Sequence, residues 1–200
     1  MRSVYNYVVE PLGERYSNIK KVGDKELIIN TEVSNHQHVN REAVVISTPS
    51  ADPSTCVKVG DKVMVHHNVF RRWHNQYGEE KNSRSYLEEG RYLVAVDQMY
   101  LRRVDGDSGD WSCLEGYCFV QPIKDNSQLK EATEMPLVGI VKYSDGTVPE
   151  GELVGFRPSG EFEFVVDGQR MYRVLSKFIT IKYEYQGNEE EYNPSWASSS

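Results

Sequence analysis

Five histidines, three cysteines and a surplus of carboxylates are the groups in this sequence that could bind a metal or move a proton. His66 and His67 follow an apolar run, and His74 comes seven positions later. Neighbouring residues of a strand point to opposite faces, so His66 and His67 do not share an ion, and a surface or packing role is expected. His36 and His38 have the spacing that puts two side chains on one strand face, with Glu32 nearby. Spacing fixes no third strong ligand there, which leaves a polar loop. Cys113 and Cys118 have no matching cysteine or histidine pair, so a zinc site fails on ligand count. Cys118 reads as a small core residue. Phosphate loop, dinucleotide fingerprint and nucleophile elbow are all missing from the sequence. The expectation is a chain with no catalytic residues, no metal and no cofactor.

Recognition chemistry is better represented. Leu27, Ile28 and Ile29 sit between Lys25, Glu26 and Asn30, and an aliphatic triplet in a polar loop suits an apolar groove on another protein. Its plain alternative is a short strand closing a local hairpin. Arg71, Arg72 and Trp73, with His74 and Tyr77, mix cations with aromatics, the recipe for stacking on nucleotides or docking on a protein. A formal charge of -7 and a pI near 5.3 favour the protein, because phosphate binding calls for a surplus of Lys and Arg on one face. A solvated loop without a partner is the bland reading. Glu189 to Glu191, then Tyr192, Pro194 and Trp196, read either as a peptide that docks through its aromatics or as a disordered tail.

The elements that must position these residues are short strands. Thirteen Tyr, 15 Gly and 8 Pro, spread among short runs rich in Val and Ile, favour strands joined by turns over long helices. Val4 to Glu10 is the first strand, stopped by Pro11. A long loop over 12–42 follows, and strands resume at Ala43 to Ile46, at Lys62 to Val65 after the Gly60-Asp61 turn, at Tyr92 to Val96 and at Met99 to Arg102. A second set begins at Tyr117, after a Gly, Ser and Asp stretch with the composition of a linker.

The second set repeats the first. Tyr7 to Pro11 recurs as Cys118 to Pro122 at an offset of 111 (7 to 118), with the same terminal Pro. Ala43 to Val45 recurs as Gly139 to Val141 at an offset of 96 (43 to 139). Gly60 to Val63 recurs as Gly151 to Val154 at 91 (60 to 151), and Tyr92 to Val94 as Tyr172 to Val174 at 80 (92 to 172). A falling offset means that the second copy keeps the strands and shortens the loops, where a duplicated fold tolerates deletion most easily. The aliphatic triplet lies in the part the second copy lacks.

In element order, the strand ending in Pro, the long loop with its triplet and the run Val57 to Val63 resemble the GroES-type co-chaperonins, over about residues 4 to 103 and again 117 to 185. In that family the loop triplet docks on a chaperonin ring. The resemblance therefore implies an all-β fold of two tandem GroES-like small β-barrels, with Leu27, Ile28 and Ile29 as the partner-binding residues. The expected layout is a first barrel over 1–104 with the loop 12–42 and an insertion 68–90, a linker over 105–116, a second barrel over 117–186 and a tail over 187–200. Two departures stand out. Ser47 to Cys56 is too short for the hairpin that roofs the family's dome, and the insertion has no family counterpart.

The resemblance implies a non-catalytic assembly protein that forms a homo-oligomeric ring and binds a chaperonin. The alternative is a virion structural protein, a ring, connector or cement component of a phage built on the same duplicated barrels. Arg71, Arg72, Trp73, Tyr77 and Trp196 are the further candidates for a protein interface in either case. The three cysteines are expected as free thiols in a reducing compartment. No apolar run reaches membrane-spanning length, so a soluble chain in the cytoplasm, that of a host if viral, or in a virion is expected, with neither membrane nor nucleic acid as the main partner.

Overall fold

The computed structural model describes residues 2–15, 19–22, 25–28, 39–52, 55–104, 109–125 and 133–197. The chain is all-β and divides into two units, Met1–Asp110 and Trp111–Ser200. Unit 1 contains β1 (Tyr7–Pro11), β2 (Ile19–Val22), β3 (Lys25–Ile28), β4 (Glu42–Ser47), β5 (Lys62–Val65), β6 (Arg72–His74), β7 (Glu80–Asn82), β8 (Tyr86–Glu88), β9 (Arg91–Val94) and β10 (Met99–Arg103). Unit 2 contains β11 (Ser112–Cys113), β12 (Tyr117–Lys124), β13 (Glu134–Ser144), β14 (Leu153–Phe156), β15 (Glu161–Val166), β16 (Gln169–Leu175) and β17 (Ile179–Tyr183).

Each unit has one main antiparallel sheet. In unit 1 its order runs β10-β5-β4-β1-β9-β8, and in unit 2 it runs β17-β14-β13-β12-β16-β15. Numbered along the chain within each unit, the two orders are the same. The register is the same too. Val8 pairs with Ser47 and Val9 with Val45 across a bulge, and Phe119 pairs with Tyr143 and Val120 with Val141 across a bulge at the same point. These pairs are 111 and 96 positions apart, the offsets at which the segments repeat in the sequence. Met99 opposite Val65, followed by a second bulge, is matched by Ile179 opposite Phe156.

Neither sheet closes into the barrel expected from the resemblance: among the described residues no pairing joins β8 to β10 or β15 to β17. Closure needs a continuous ladder between the two marginal strands, and β8 offers only three residues, all exposed.

Valine dominates both cores, as the β-branched side chain packs well on a pleated surface. Val9, Val45, Val63 and Val94 are fully buried in unit 1, and at the same offsets so are Val120, Val141, Val154 and Val174 in unit 2. The turn Val57 to Val63 has a structural explanation. Gly60 takes a positive φ of 94°, and the buried Asp61 carboxylate accepts the Lys58 amide at 2.7 Å and the Arg102 guanidinium at 2.6 Å.

Unit 2 starts inside the stretch expected as a linker. Trp111 is buried and its indole N–H donates to Asp167 at 3.1 Å, and the Gly116 amide donates to Asp145 at 2.9 Å, while 105–108 lie outside the described residues. The C-terminal segment is likewise fixed to unit 2. Glu191 bridges Ile123, Lys124 donates its amide to the Glu190 carbonyl at 2.8 Å, and the Gln121 side chain donates to the Tyr192 carbonyl at 2.8 Å. Ala197 is fully buried.

Candidate interaction surface

Two hairpins leave the unit 1 sheet, and unit 2 has no counterpart of either among its described residues. The first pairs β2 with β3, Ile19 opposite Ile28 and Lys20 opposite Leu27. Leu27 and Ile28 thus lie on the second strand of a hairpin inside the long loop, and Ile29 lies outside the described residues.

The second hairpin pairs β6 with β7: Arg72 opposite Asn82, Trp73 opposite Lys81 and His74 opposite Glu80. Its tip is held by one side chain. The Asn75 Oδ1 accepts the amides of Tyr77 at 2.9 Å and Glu79 at 3.0 Å, and its Nδ2 donates to the Glu79 carboxylate at 2.9 Å. Gly78 supplies the positive φ that the turn needs. At the base, Arg15 donates to the Phe70 carbonyl at 2.9 Å and to the Asn82 side chain at 3.0 Å, while Ser83 donates to the Val69 carbonyl at 2.6 Å. Val69 and Phe70 are fully buried, and Phe70 packs edge-on against Tyr92 at 4.8 Å. The insertion 68–90 is therefore rooted in the core at its start and rejoins the sheet through β8.

This frame displays the residues singled out in the sequence. Trp73 is 48% exposed and Tyr77 78% exposed. Arg71 is exposed, while Arg72 is half-buried and pairs with Glu80 at 3.2 Å. Aromatic side chains on a hairpin hydrogen-bonded at its tip and base lose little conformational freedom on binding, a property of interface anchors. Trp196, the remaining candidate, is 44% exposed and belongs to unit 2.

No family model, curated protein or solved structure matches the chain.

Other clusters read as structural. His66 and His67 lie just past β5, and their rings meet at 4.2 Å rather than on the opposite faces expected of strand neighbours, with the His66 ring accepting the Asn68 amide. Among the described residues, no group of three or more His, Cys, Asp or Glu side chains is arranged to hold a metal ion. None of the three cysteines is in a disulfide, and burial, with the neighbouring Cys118, pushes the Cys113 thiol well above its usual range. No helix of the described residues is long and apolar enough to cross a membrane.

Sequence reasoning missed a charged network in unit 2. Arg170 donates to Glu163 at 2.6 Å and also to Glu134 and the Tyr172 hydroxyl, and that hydroxyl donates to Glu134 at 2.6 Å. Burial, followed by this bond to Glu134, holds the Tyr172 hydroxyl well above the usual phenol range. For Arg170 burial opposes the charge, but the two carboxylates outweigh it and keep the guanidinium firmly protonated. A fixed proton on each group suits a structural clamp rather than proton transfer. Only the position of Tyr172 in the repeat could have signalled it.

Proposed function

We propose that this chain is a non-catalytic assembly protein of co-chaperonin type, in which two GroES-like units are fused and copies join into a ring. The observation that supports this reading is the shared strand order and register of the two sheets, down to the positions of the bulges, combined with projecting hairpins that, among the described residues, belong to unit 1. A duplicated scaffold that keeps its strand order while one unit carries the described hairpins fits specialisation of that unit for contact. On this reading the loop hairpin with Leu27, Ile28 and Ile29 grips an apolar groove of a chaperonin ring, and several weak grips around a ring supply avidity. Mixing the purified chain with a chaperonin ring and nucleotide tests it. Co-sedimentation that Ile28→Asp abolishes supports the reading, and no complex under any nucleotide condition removes it.

One observation favours a second reading, a virion structural protein: the C-terminal segment is fixed on unit 2 and still presents Trp196. Unequal projections from the two units would then lock different neighbours. Presence of the chain in purified particles, with no chaperonin complex, selects this reading.

A further inference from the structure

The margin of the unit 2 sheet carries a second exposed apolar surface. Ile181 is 49% exposed, whereas Leu101, its counterpart at the offset of 80, is fully buried. Tyr183 is exposed as well and shares one strand face of β17 with Ile181, and the exposed Tyr185 follows just past the strand, its hydroxyl donating to the Gly151 carbonyl at 2.6 Å. Gly155 of β14 makes this face flat. A Cβ there would meet the Tyr183 ring at 3.0 Å and the Ile181 Cβ at 3.5 Å, so both side chains lie directly over the glycine.

Carboxylates rim the strip. The Tyr185 hydroxyl is held above its usual range first by burial and then by the fields of Glu189, Glu152 and Glu191. Around the strip five carboxylates, Glu152, Glu184, Glu189, Glu190 and Glu191, stand against three lysines, Lys182, Lys124 and Lys142, which pair with Glu152, Glu190 and Glu191, so an excess of two carboxylates remains. From Arg71 to Arg84 the sequence has three Arg and one Lys against two Glu. The hairpin is thus a cationic aromatic projection, and the β17 margin an acidic strip of apolar and aromatic side chains.

We propose that the β6–β7 hairpin of one copy docks on the β17 strip of a second copy, Trp73 and Tyr77 lying over Ile181, Tyr183 and Tyr185. The proposal rests on the reading that copies of this chain assemble, and it names the surfaces that meet. The occupant is a second copy because the two surfaces, opposite in charge and both carrying exposed aromatics, are found on one polypeptide. Such a contact uses a different patch on each partner, so it is heterologous and extends head to tail until it closes.

Sedimentation of the full chain over a range of concentrations tests the contact. Association that grows with concentration and weakens at 0.5 M salt, on the order of three times the ionic strength of the cell, is expected. The double variant Trp73→Ala, Tyr77→Ala should raise the dissociation constant about tenfold or more, as loss of a central aromatic anchor does. Ile181→Asp should do the same. These side chains are exposed, and an unchanged circular dichroism spectrum will show that each variant folds.

The deciding arm mixes the two variants. Each retains the half that the other has lost, so the mixture should form a dimer that stops growing, while each variant alone stays monomeric. A wild-type chain monomeric at every concentration overturns the proposal, as do oligomers indifferent to both variants or a mixture that stays monomeric. Chaperonin binding is read separately through Ile28→Asp. A chain that assembles as stated yet ignores the chaperonin removes the co-chaperonin reading and leaves this contact standing.

Discussion

The two units carry one ion pair at the same place in the sheet, and they treat it differently. In unit 1 Asp61 is almost wholly buried and holds Arg102 at 2.6 Å. At the corresponding offsets of 91 and 80, Glu152 of unit 2 holds Lys182 at 2.5 Å, with the Lys side chain two-thirds exposed. Asp61 also accepts the Lys58 amide, so it closes the turn, whereas the Glu152 pair lies at the open margin of its sheet. A shared backbone pattern fixes where a pair can form, and the surroundings decide what it is worth.

The same contrast holds at the repeated tyrosine. Tyr92 is buried against Phe70 and Tyr86 with the Arg15 guanidinium 5.1 Å from its ring centre. Tyr172 has Arg170 at 4.8 Å but turns its hydroxyl into the Glu134 network. Each unit stacks an arginine on its tyrosine, and the two arginines come from unrelated parts of the sequence.

The comparison breaks most sharply at Asp61. Asp61→Ala leaves Arg102 and the Lys58 amide without their buried acceptor, and should cost about 3 kcal/mol. Hydrogen exchange in β4 and β5 should rise while β13 and β14 stay protected; equal loss in both units would refute separate folding of the pair's surroundings.

Position 139 gives the next largest effect. Unit 1 has Ala43 there, but in unit 2 a Cβ on Gly139 would meet the Gln121 carbonyl oxygen at 2.3 Å and a Val120 methyl at 2.7 Å. Gly139→Ala should therefore cost about 2 kcal/mol through overpacking. Ala43→Gly in unit 1 should cost under about 1 kcal/mol. Denaturant titration of both variants checks the asymmetry, and equal costs would mean that the two strands are as close in unit 1.

A smaller, pH-dependent difference centres on Asp145, whose place in unit 1 is taken by Pro49 at the offset of 96. Burial tends to raise the Asp145 carboxyl, but bonds from Thr147, Ser176 and the Gly116 amide outweigh it and hold it below the usual carboxylate range. A folded-state pKa below the unfolded one contributes stability above the ordinary carboxylate range, and that stability is lost as pH falls through the depressed value. Asp145→Asn should flatten the acid limb of unit 2 unfolding and leave unit 1 unchanged; an acid limb of unaltered slope would count against the assignment.

The smallest change is expected at the exposed pair. Glu152→Gln should alter stability by about 0.5 kcal/mol or less, and salt should remove that difference. A loss as large as that of Asp61→Ala, measured on the monomeric chain, would contradict the exposure of the pair.

Much of the scaffold was legible in the residues themselves. Valines recurring at fixed offsets marked the strands because β-branched side chains act locally, and Pro11 ends β1 as expected, whereas its counterpart Pro122 lies inside β12, which runs on to Lys124. Gly60 and Gly151 marked the matching turns for the same reason: only the residue itself decides whether a positive φ is tolerated. The cations and aromatics of the insertion marked a display surface through composition alone.

Tertiary structure decided the rest. Whether sheets close depends on the reach of marginal strands such as β8, which no local pattern encodes. That Trp111 and Ala197 would be buried followed from cavities made by distant segments, and residues with linker or tail composition filled them. Arg15 and Arg170 owe their roles to Phe70 and Glu134, partners far along the chain that folding brings within hydrogen-bond reach. Propensity acts over a few residues and can be read in order along a chain, whereas burial and pairing join residues far apart and exist only once the chain has folded.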